Sequence, residues 1–363
     1  MKNKRLAREK FQRVMHFEKP DRLTFVPDGW AGYWRETINR WYGEGLPIGM
    51  TLEDYFSFDP REIIPVDFGP IPSFVPKVLE ENANYRIKIN ENGIVTKCLL
   101  EHTLGRMPQF LEFPVKDYKD WEKMKKRFNP NDIRRYPKNW GEELFEYYNT
   151  TGSIIGLFLP GFFGKARDFL GVERLLVSFY KHPKLVHEIM DFWSDFLIET
   201  SREAVENIRI DYVTIWEDMG HKEGPLISPG LFEEFMLPNY KKICDFLRKN
   251  GIDVILVDSD GNNDALIPLL LEGGVSGIYP LEVAAGEDAI ALRKQYKRLL
   301  LIGNLDKRAL IQGKKAIRDE LESKLPYLIK EGGYIPHTDH AAPPDVSFEN
   351  FKYYCNLVKQ YVY

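Results

Sequence analysis

The sequence predicts an α/β fold, a (β/α)8 TIM barrel that occupies residues 1–363 as a single domain. Its second half alternates short runs of β-branched residues with amphipathic helical patterns. Strands that are apolar on both faces and alternate with helices form parallel sheets. A doubly wound sheet is the alternative, but no GxGxxG motif follows an early strand, which disfavours its dinucleotide-binding form.

Six strand–helix units follow one another, and one more candidate strand is "RLTFVPDG" at 22–29. Between the strands, Pro183 suits a first helical residue, Ser228 suits an N-cap, and Gly251 suits the end of a helix that Pro238 kinks. The candidate strands of the six units are 153–159, 211–217, 253–259, 276–282, 298–304 and 333–337.

Residues 84–115 interrupt this alternation in the N-terminal third of the chain. Two runs with period-two hydrophobicity flank Glu91-Asn92-Gly93, a pattern typical of a β-hairpin. The stretch "GRMPQFLEFPV" predicts one further strand. We therefore expect a β-hairpin insertion in the barrel.

The composition provides for a large core and fits either one large α/β barrel or two medium domains. The chain has 363 residues, 44% of them hydrophobic, and a net charge of -4, which gives no sign of a nucleic-acid-binding face. The three cysteines are far apart and without a CxxC motif, so neither a disulfide framework nor a cysteine zinc site is expected. No apolar run approaches the ~20 residues of a membrane span, and no signal peptide is apparent. We expect a cytoplasmic protein without membrane contact; a homodimer is compatible with the sequence.

Polar side chains stand at the ends of five consecutive candidate strands. Active sites of barrels form at the carboxyl ends of the strands, so these side chains are the candidates for chemistry. They are Glu217 with Lys222 shortly after it, Asp258 and Asp260, Glu282, Asn304, and His337 followed by His340.

Asp258 and Asp260 are two residues apart, which places both side chains on one face of an extended chain. Two carboxylates that close together need a cation or a shared proton. Carboxylates with His340 would suit a divalent metal. Each residue also has an alternative: Asp258 as a helix cap, Asp260 as a turn residue and His340 as a loop histidine. Glu217 is hardest to explain this way, and Lys222 is either a substrate-carboxylate partner or a surface charge.

Aromatic residues cluster after the first and second candidate strands. Trp30 and Trp34 have helical spacing, which favours core packing, with a ligand lid as the alternative. Phe158, Phe162 and Trp216 lie at neighbouring strand ends. They predict an aromatic pocket wall.

The chain resembles the uroporphyrinogen decarboxylase superfamily over nearly its full length. The resemblance rests on "REKFQRVMHFEKPDRLTFVP", "EFPVKDYKDWEKMK", "ISPGLFEEFMLPNYKKICDFLRKNGIDVILVDSDGN", "GIYPLEVAAGEDAIALRKQYKRLLLIGNLDKRAL" and "EGGYIPHTDHAAPPDVSFENFKYY". Decarboxylases of the superfamily carry an arginine-rich loop for substrate carboxylates, whereas the corresponding "PDGWAGYWRE" has only Arg35. The other known activity is methyl transfer to or from a corrinoid, with a His-x-Cys-Gly zinc motif and a later cysteine. Asp258-Ser259-Asp260-Gly261 stands at that motif and His340 at the later cysteine.

The resemblance implies a methyltransferase that moves a methyl group from a small O- or N-methylated compound to a corrinoid protein. Zinc is the metal expected, held by Asp260, His340 and Glu217, with Glu217, Asp258 and Lys222 as catalytic residues. Two alternatives remain, a decarboxylase-like lyase that uses no metal and a non-catalytic barrel that binds a corrinoid or tetrapyrrole. The expected substrate-binding residues are Trp30, Trp34, Phe158, Phe162, Trp216, Glu282, Asn304 and His337.

Overall fold

A curled parallel sheet forms the centre of the computed structural model, which describes residues 2–20, 22–25, 33–100 and 107–362. In chain order the strands are β1 (Arg61–Ile63), β2 (Lys77–Glu81), β3 (Tyr85–Ile89), β4 (Val95–Leu99), β5 (Gln109–Glu112), β6 (Ile154–Pro160), β7 (Tyr212–Trp216), β8 (Gly220–His221), β9 (Gly224–Pro225), β10 (Ile255–Asp258), β11 (Gly277–Tyr279), β12 (Leu300–Leu305) and β13 (Tyr334–Thr338). The order in the parallel sheet is β1-β6-β7-β10-β11-β12-β13.

Helices alternate with the strands of this sheet in its second half. In chain order the α-helices of the described residues are α1 (Lys2–Met15), α2 (Arg35–Gly43), α3 (Leu52–Phe56), α4 (Tyr118–Lys125), α5 (Glu142–Thr150), α6 (Phe162–Leu170), α7 (Val172–Lys181), α8 (Pro183–Asn207), α9 (Pro229–Leu231), α10 (Leu237–Lys249), α11 (Ile267–Glu272), α12 (Ala289–Gln295), α13 (Lys307–Gln312), α14 (Lys314–Glu331) and α15 (Phe348–Val358). Not one helix of the described residues combines the length and apolarity needed to span a membrane.

All six strands predicted from the second half of the chain are confirmed, each within two residues at its start. The candidate strand at 22–29 is wrong for residues 22–25, which form no strand, and its remainder lies outside the described residues. The parallel sheet instead begins at β1, which has only three residues and little hydrophobic pattern to reveal it. The described residues therefore give a seven-stranded curled sheet rather than the eight strands predicted.

The N-terminal β-rich segment also differs from the predicted insertion. It is a four-stranded antiparallel sheet, β2-β3-β4-β5, that begins at Lys77, upstream of the predicted bounds of 84–115. The two runs around Glu91-Asn92-Gly93 pair with one another as β3 and β4. The additional strand β2 is exposed along its whole length, so no buried face marked it in the sequence.

Capping residues begin and end the helices largely where expected. Pro183 is the first residue of α8, and the Ser228 hydroxyl accepts a hydrogen bond from the amide of Leu231. Gly251 follows α10 with a φ of 81°. Near Pro238, where the sequence predicts a kink, the helix contains a π-helical turn at Phe232–Met236, just before α10.

The inward face of the sheet changes from apolar to polar along the strands. Near the amino-terminal ends of the strands, inward side chains such as Ile154, Tyr212 and Val254 form a buried cluster with Phe11 and Val14 of α1. Helix α1 thus packs across the amino-terminal end of the sheet. Outward side chains such as Val213 and Val257 pack instead against the surrounding helices. The open end is the opposite one, where the strands finish.

Candidate active site

Three inward-facing side chains lie level with one another where the strands end. In the parallel register, Asp258 of β10 pairs with Trp216 of β7 on one side and with Tyr279 of β11 on the other. Paired residues of a parallel sheet point to the same face, and Tyr279 belongs to the inward cluster. We call this end of the sheet, with Trp216, Asp258, Tyr279, Asp260 and His340, the mouth.

Phe158 supplies an apolar wall below the mouth. It is 40% exposed, although every neighbour from Ile154 to Leu159 in its strand is buried. Its register partner Thr214 is two residues before Trp216 on the inward face. An exposed phenyl ring on an inward face indicates space inside the sheet that a ligand can enter.

Asp258 is held in its protonated form. Burial, followed by the neighbouring Asp260 carboxylate, raises the pKa of Asp258 to about 8. A hydrogen bond from Tyr279 opposes this shift, and the more distant Asp218 adds to it. At neutral pH the mouth therefore contains a carboxylic acid that can give up a proton.

Asp260 and His340 meet across the mouth. His340 Nε2 lies 3.4 Å from Asp260 Oδ2, and both side chains are partly exposed, by 31% and 39%. The hydrogen bond to Asp260 raises the pKa of His340 against the opposing effect of burial. The strand ends that carry them, β10 and β13, are separated by two other strands. The two residues that we assigned to a metal are thus brought together, as an ion pair.

Two further acids near the mouth have cationic partners. Arg167 Nη1 lies 2.9 Å from Asp218 Oδ2, and its guanidinium lies over the Trp216 ring, 5.2 Å from the centroid. Lys307 Nζ lies 3.1 Å from Glu282 Oε1. Asp258, with its raised pKa, therefore lies among acids whose charges are compensated by cationic side chains.

Glu217 has a different environment from the one we predicted. It is fully buried, and its carboxylate accepts hydrogen bonds from the amides of Phe162, Phe163 and Gly164 at 2.9, 2.7 and 3.2 Å. The Tyr240 hydroxyl donates a fourth bond at 2.6 Å. Burial raises the pKa of Glu217, and these bonds to the carboxylate oppose that shift. Glu217 therefore caps the first turn of α6, and both of its oxygens are already occupied.

Asn304 and His337 are buried side chains that pair in register near the carboxyl ends of β12 and β13. The Asn304 amide donates to the carbonyls of Leu281 and Glu287 and accepts from the amide of Ala289, so its polar atoms stabilise loops. His337 is fully buried, and burial lowers its pKa to about 4. The polar atoms of Asn304 are thus engaged within the fold, and the lowered pKa keeps His337 a neutral imidazole on the inward face.

Four other predicted residues are in the core, at the surface or cap positions, or outside the described residues. Phe162 is 1% exposed and packs on Tyr240 with ring centroids 5.1 Å apart, so it is a core residue and not a pocket wall. Trp34 is half-buried at the N-cap position of α2. Lys222 is exposed between β8 and β9, and Trp30 lies outside the described residues.

The predicted metal site is not assembled. Among the described residues, no group of three or more His, Cys, Asp or Glu side chains is arranged to hold a metal ion. Asp260 and His340 are two donors, and the oxygens of Glu217, the third donor predicted, are taken by α6 and Tyr240. These residues do not fit the zinc site that we expected, so we derive no step from a metal.

Sequence reasoning missed several residues that shape the mouth. Tyr279 could have been found, because the alternation of "SGIYPLE" places it on the inward face beside Asp258. Arg167, Lys307 and Tyr240 left no such signal, since each reaches its acid from a helix distant in sequence.

Comparisons with known proteins agree with this arrangement of strands. A family model described as "Uroporphyrinogen decarboxylase (URO-D)" matches residues 158–361, more than half of the chain. Uroporphyrinogen decarboxylase of Hahella chejuensis is 26% identical over 208 residues, covering 54% of this chain and 53% of that protein. The enzyme of Legionella pneumophila subsp. pneumophila is 25% identical over 190 residues, covering 52% and 50%. The chain thus spans about half the length of the curated relatives it matches.

The chain is also similar to a solved structure, a methyltransferase from Methanosarcina mazei. The superposition covers 98% of each chain, with a TM-score of 0.60 and 16% sequence identity. At that identity the likeness shows the fold alone. It extends over the N-terminal part that the family model does not match. Family model and fold together support one assignment: the chain belongs to the uroporphyrinogen decarboxylase (URO-D) family.

Proposed function

We propose that the protein transfers a methyl group from a small O- or N-methylated compound to a corrinoid carried by a partner protein. The observation that carries the proposal is the position of the Asp258 carboxyl group, level with Trp216 and Tyr279 on the inward face of the mouth. Burial and the neighbouring Asp260 raise its pKa to about 8, which favours the protonated acid at neutral pH. Methyl transfer away from oxygen leaves a strongly basic alkoxide, which needs a proton. Proton donation to a leaving group by a positioned acid typically contributes 10²–10⁴-fold to the rate.

The residues of this chain would divide the work as follows. Asp258 gives its proton to the leaving oxygen, so that the methyl compound and the acid become an alcohol and a carboxylate. The ion pair of Asp260 and His340 lies beside Asp258, and a protonated His340 favours the carboxylate formed. A reduced corrinoid supplies the nucleophile that accepts the methyl group. Phe158 and Trp216 line the apolar part of the opening.

The charge distribution favours an uncharged substrate. Asp218, Asp260 and Glu282 each lie within 3.4 Å of a cationic side chain. A mouth with paired charges has little net attraction for a polycarboxylate such as a porphyrinogen. An O-methyl compound gains more from Asp258 than a quaternary amine does, because the amine leaves as a neutral molecule without a proton.

Decarboxylation is the second candidate, and the curated relatives favour it. In that reaction Asp258 would protonate the carbon from which carbon dioxide departs. A carboxylate substrate would then lose carbon dioxide and gain a hydrogen on the carbon that had carried the carboxylate. No corrinoid would be consumed.

The test uses the full chain with cob(I)alamin as methyl acceptor and a panel of methanol, methoxybenzene and dimethylamine. Formation of methylcobalamin is followed by absorption, and release of carbon dioxide from uroporphyrinogen is followed in parallel. We expect methylcobalamin from an O-methyl donor and a loss of about 10²-fold or more in kcat for Asp258→Asn.

Asp253→Asn is the matched control, because Asp253 precedes the same strand but pairs with His16 at the opposite end of the sheet. It should retain the wild-type rate. Full activity of Asp258→Asn would overturn the role of Asp258. Carbon dioxide release without methylcobalamin would instead establish the decarboxylase.

A further inference from the structure

The loop that follows β10 carries Asp260, and Asn263 ties this loop together. Asn263 is 5% exposed, and its Nδ2 donates to the carbonyls of Ser259 at 3.0 Å and Asp260 at 3.2 Å. Its Oδ1 accepts a hydrogen bond from Ser259 Oγ at 2.9 Å. The Asn263 side chain therefore fixes the backbone of the loop at Ser259 and Asp260.

Ser259 connects this loop to the one that follows β7. Its hydroxyl oxygen accepts hydrogen bonds from the amides of Met219 at 3.0 Å and Gly220 at 3.2 Å. Ser259 stands between the two acids in sequence, so in an extended chain it points to the face opposite theirs. The serine thus holds the loops together while the acids remain at the mouth.

The backbones of the loops after β7 and β10 are in contact. A Cβ added to Gly220 would lie 2.1 Å from the Asp260 carbonyl oxygen, and one added to Gly261 would lie 2.5 Å from the Gly220 carbonyl carbon. Gly261 also has a φ of 78°, which side chains disfavour. The loop carrying the acids therefore has no room to shift toward the β7 loop.

Glu287 anchors the other side of Asn263. It is 4% exposed, and its Oε1 accepts the amide of Asn263 at 2.7 Å. The backbone carbonyl of Glu287 accepts from Asn304 Nδ2 at 2.8 Å, which links the loop to the end of β12. Ser259, Asn263 and Glu287 form one buried chain of hydrogen bonds, the loop clamp, that joins the ends of β7, β10 and β12.

We propose that Asn263 is a positioning residue for the reaction at the mouth and that Glu287 is its anchor. The loop clamp holds Asp258 and Asp260 in the orientation that proton transfer needs. Catalytic groups must be held within a fraction of an ångström of their productive geometry, so loosening the clamp costs rate more than substrate affinity. The inference rests on the proposed function, in which Asp258 is the proton donor.

The experiment compares Asn263→Ala, Glu287→Ala and Glu287→Gln in the full chain. Asn263→Ala and Glu287→Ala are expected to lower kcat by about tenfold or more and to leave KM within about threefold. Glu287→Gln keeps an Oε1 acceptor for the Asn263 amide and is expected to retain wild-type kcat. Circular dichroism establishes that each variant is folded at the assay temperature.

Asn149→Ala is the matched control. The Asn149 side chain also ties two segments, since it donates to the Asn207 carbonyl and accepts from the Arg209 amide, but it joins α5 to the segment before β7, at the far end of the sheet. Its removal should leave kcat unchanged. Equal rates for Asn263→Ala and Asn149→Ala, or equal losses for Glu287→Gln and Glu287→Ala, would overturn the positioning role.

A measurement without turnover separates this inference from the proposed function. The carboxyl carbon of Asp258 is observed by NMR in protein labelled with ¹³C-aspartate and assigned from Asp258→Asn. Its titration should shift in Asn263→Ala and stay at the wild-type position in Glu287→Gln. If Asp258→Asn is fully active and these shifts occur, the role of Asp258 as proton donor fails, while the clamp is still shown to set its environment. If no shift occurs, the clamp does not set the environment of Asp258, and the positioning role is overturned even where Asp258→Asn is inactive.

Discussion

At the scale of single residues, the acids of the mouth differ in what they bond. Asp218, Asp260 and Glu282 each pair with a cationic side chain, whereas the Asp258 carboxyl hydrogen-bonds the Tyr279 hydroxyl. A carboxyl group that is buried beside another carboxylate keeps its proton. The sequence places two acids on one face, and the structure distinguishes the buried Asp258, whose pKa is raised, from Asp260, which pairs with His340.

The pH dependence of kcat should reveal this donor. A proton donor works only while it is protonated, and the pKa of Asp258 is raised to about 8. We expect kcat to be constant at neutral pH and to fall as the pH rises through about 8, as steady-state rates of methyl transfer would record. Asp253→Asn should show the same profile. A rate that increases through this range would mean that Asp258 acts as a base.

Removal of the Glu217 carboxylate should affect folding first. Glu217→Ala would leave three amides and the Tyr240 hydroxyl without their acceptor in a buried place. Each unsatisfied buried group costs about 1–3 kcal/mol, so we expect a loss of at least about 3 kcal/mol in the free energy of unfolding, measured with urea. Glu206→Ala, at an exposed position of α8, should change it by less than about 0.5 kcal/mol. An inactive Glu217→Ala of normal stability would place this acid at the reacting centre.

Two predictions from sequence differ in outcome for a physical reason. One is the common face of Asp258 and Asp260, and the other is the site role of Glu217. The common face of Asp258 and Asp260 follows from the period of two in a strand, which is a local property. The partners of Glu217 come from α6 and α10, and only the packing of those helices determines that its oxygens are occupied. Local periodicity therefore identified the acids, while tertiary contacts assigned their roles.

At the scale of elements, the loops after β7 and β10 act as one unit. Gly220 and Gly261 allow their backbones to meet, and Ser259 bonds across the junction. Strand prediction succeeded where runs such as "DYVTIWE" are buried on both faces, and it failed for β1, which has three residues. The contact between the two loops has no signature in the sequence, because a glycine after a strand is common to many turns.

Gly261→Ala should separate the effect of the contact between the loops after β7 and β10 from the effect of backbone strain. The added Cβ would lie 2.5 Å from backbone atoms of Gly220, and φ is already 78°. Gly251→Ala is the matched control, since Gly251 has a φ of 81° and nothing within 4 Å of the added atom. We expect both variants to lose at least about 0.5–1 kcal/mol of stability in urea unfolding.

Only Gly261→Ala should also lower kcat, because its side chain pushes the loop that carries Asp260 away from the β7 loop. Equal kcat values in the two variants would show that the loops can separate without affecting the reaction. The comparison thus tests whether the loop contact matters to the chemistry or only to folding.

At the scale of the whole molecule, the sheet has two unlike ends. Helix α1 fills the amino-terminal end with Phe11 and Val14, and the paired charges lie at the other. The sequence predicted the parallel architecture, and it placed the candidate polar residues at the carboxyl ends of the strands, where barrel sites form. It did not predict that α1 packs across the amino-terminal end of the sheet, because the apolar residues of α1 show only that one face of the helix is buried.

Phe11→Ala should weaken the fold without changing the chemistry. Phe11 is fully buried, and its ring centroid lies 5.5 Å from that of Tyr212. Truncation of a buried phenylalanine costs about 3–5 kcal/mol, which urea unfolding would measure. The fall of kcat above about pH 8 should persist, since Asp258 is at the opposite end. Phe110→Ala, at a side chain that is 46% exposed, is the control and should have little effect on stability.

Because α1 covers the amino-terminal end of the described sheet, we expect both reactants of the proposed transfer to arrive at the other end, through the mouth. A small methyl donor can enter first and lie beneath a large acceptor protein, whereas an acceptor that docks first would shut the donor out. The reaction should therefore show ordered addition, with an excess of corrinoid protein trapping the enzyme in a dead-end complex. A single entrance would make the sequence of arrivals, and not only the chemistry, a determinant of the rate.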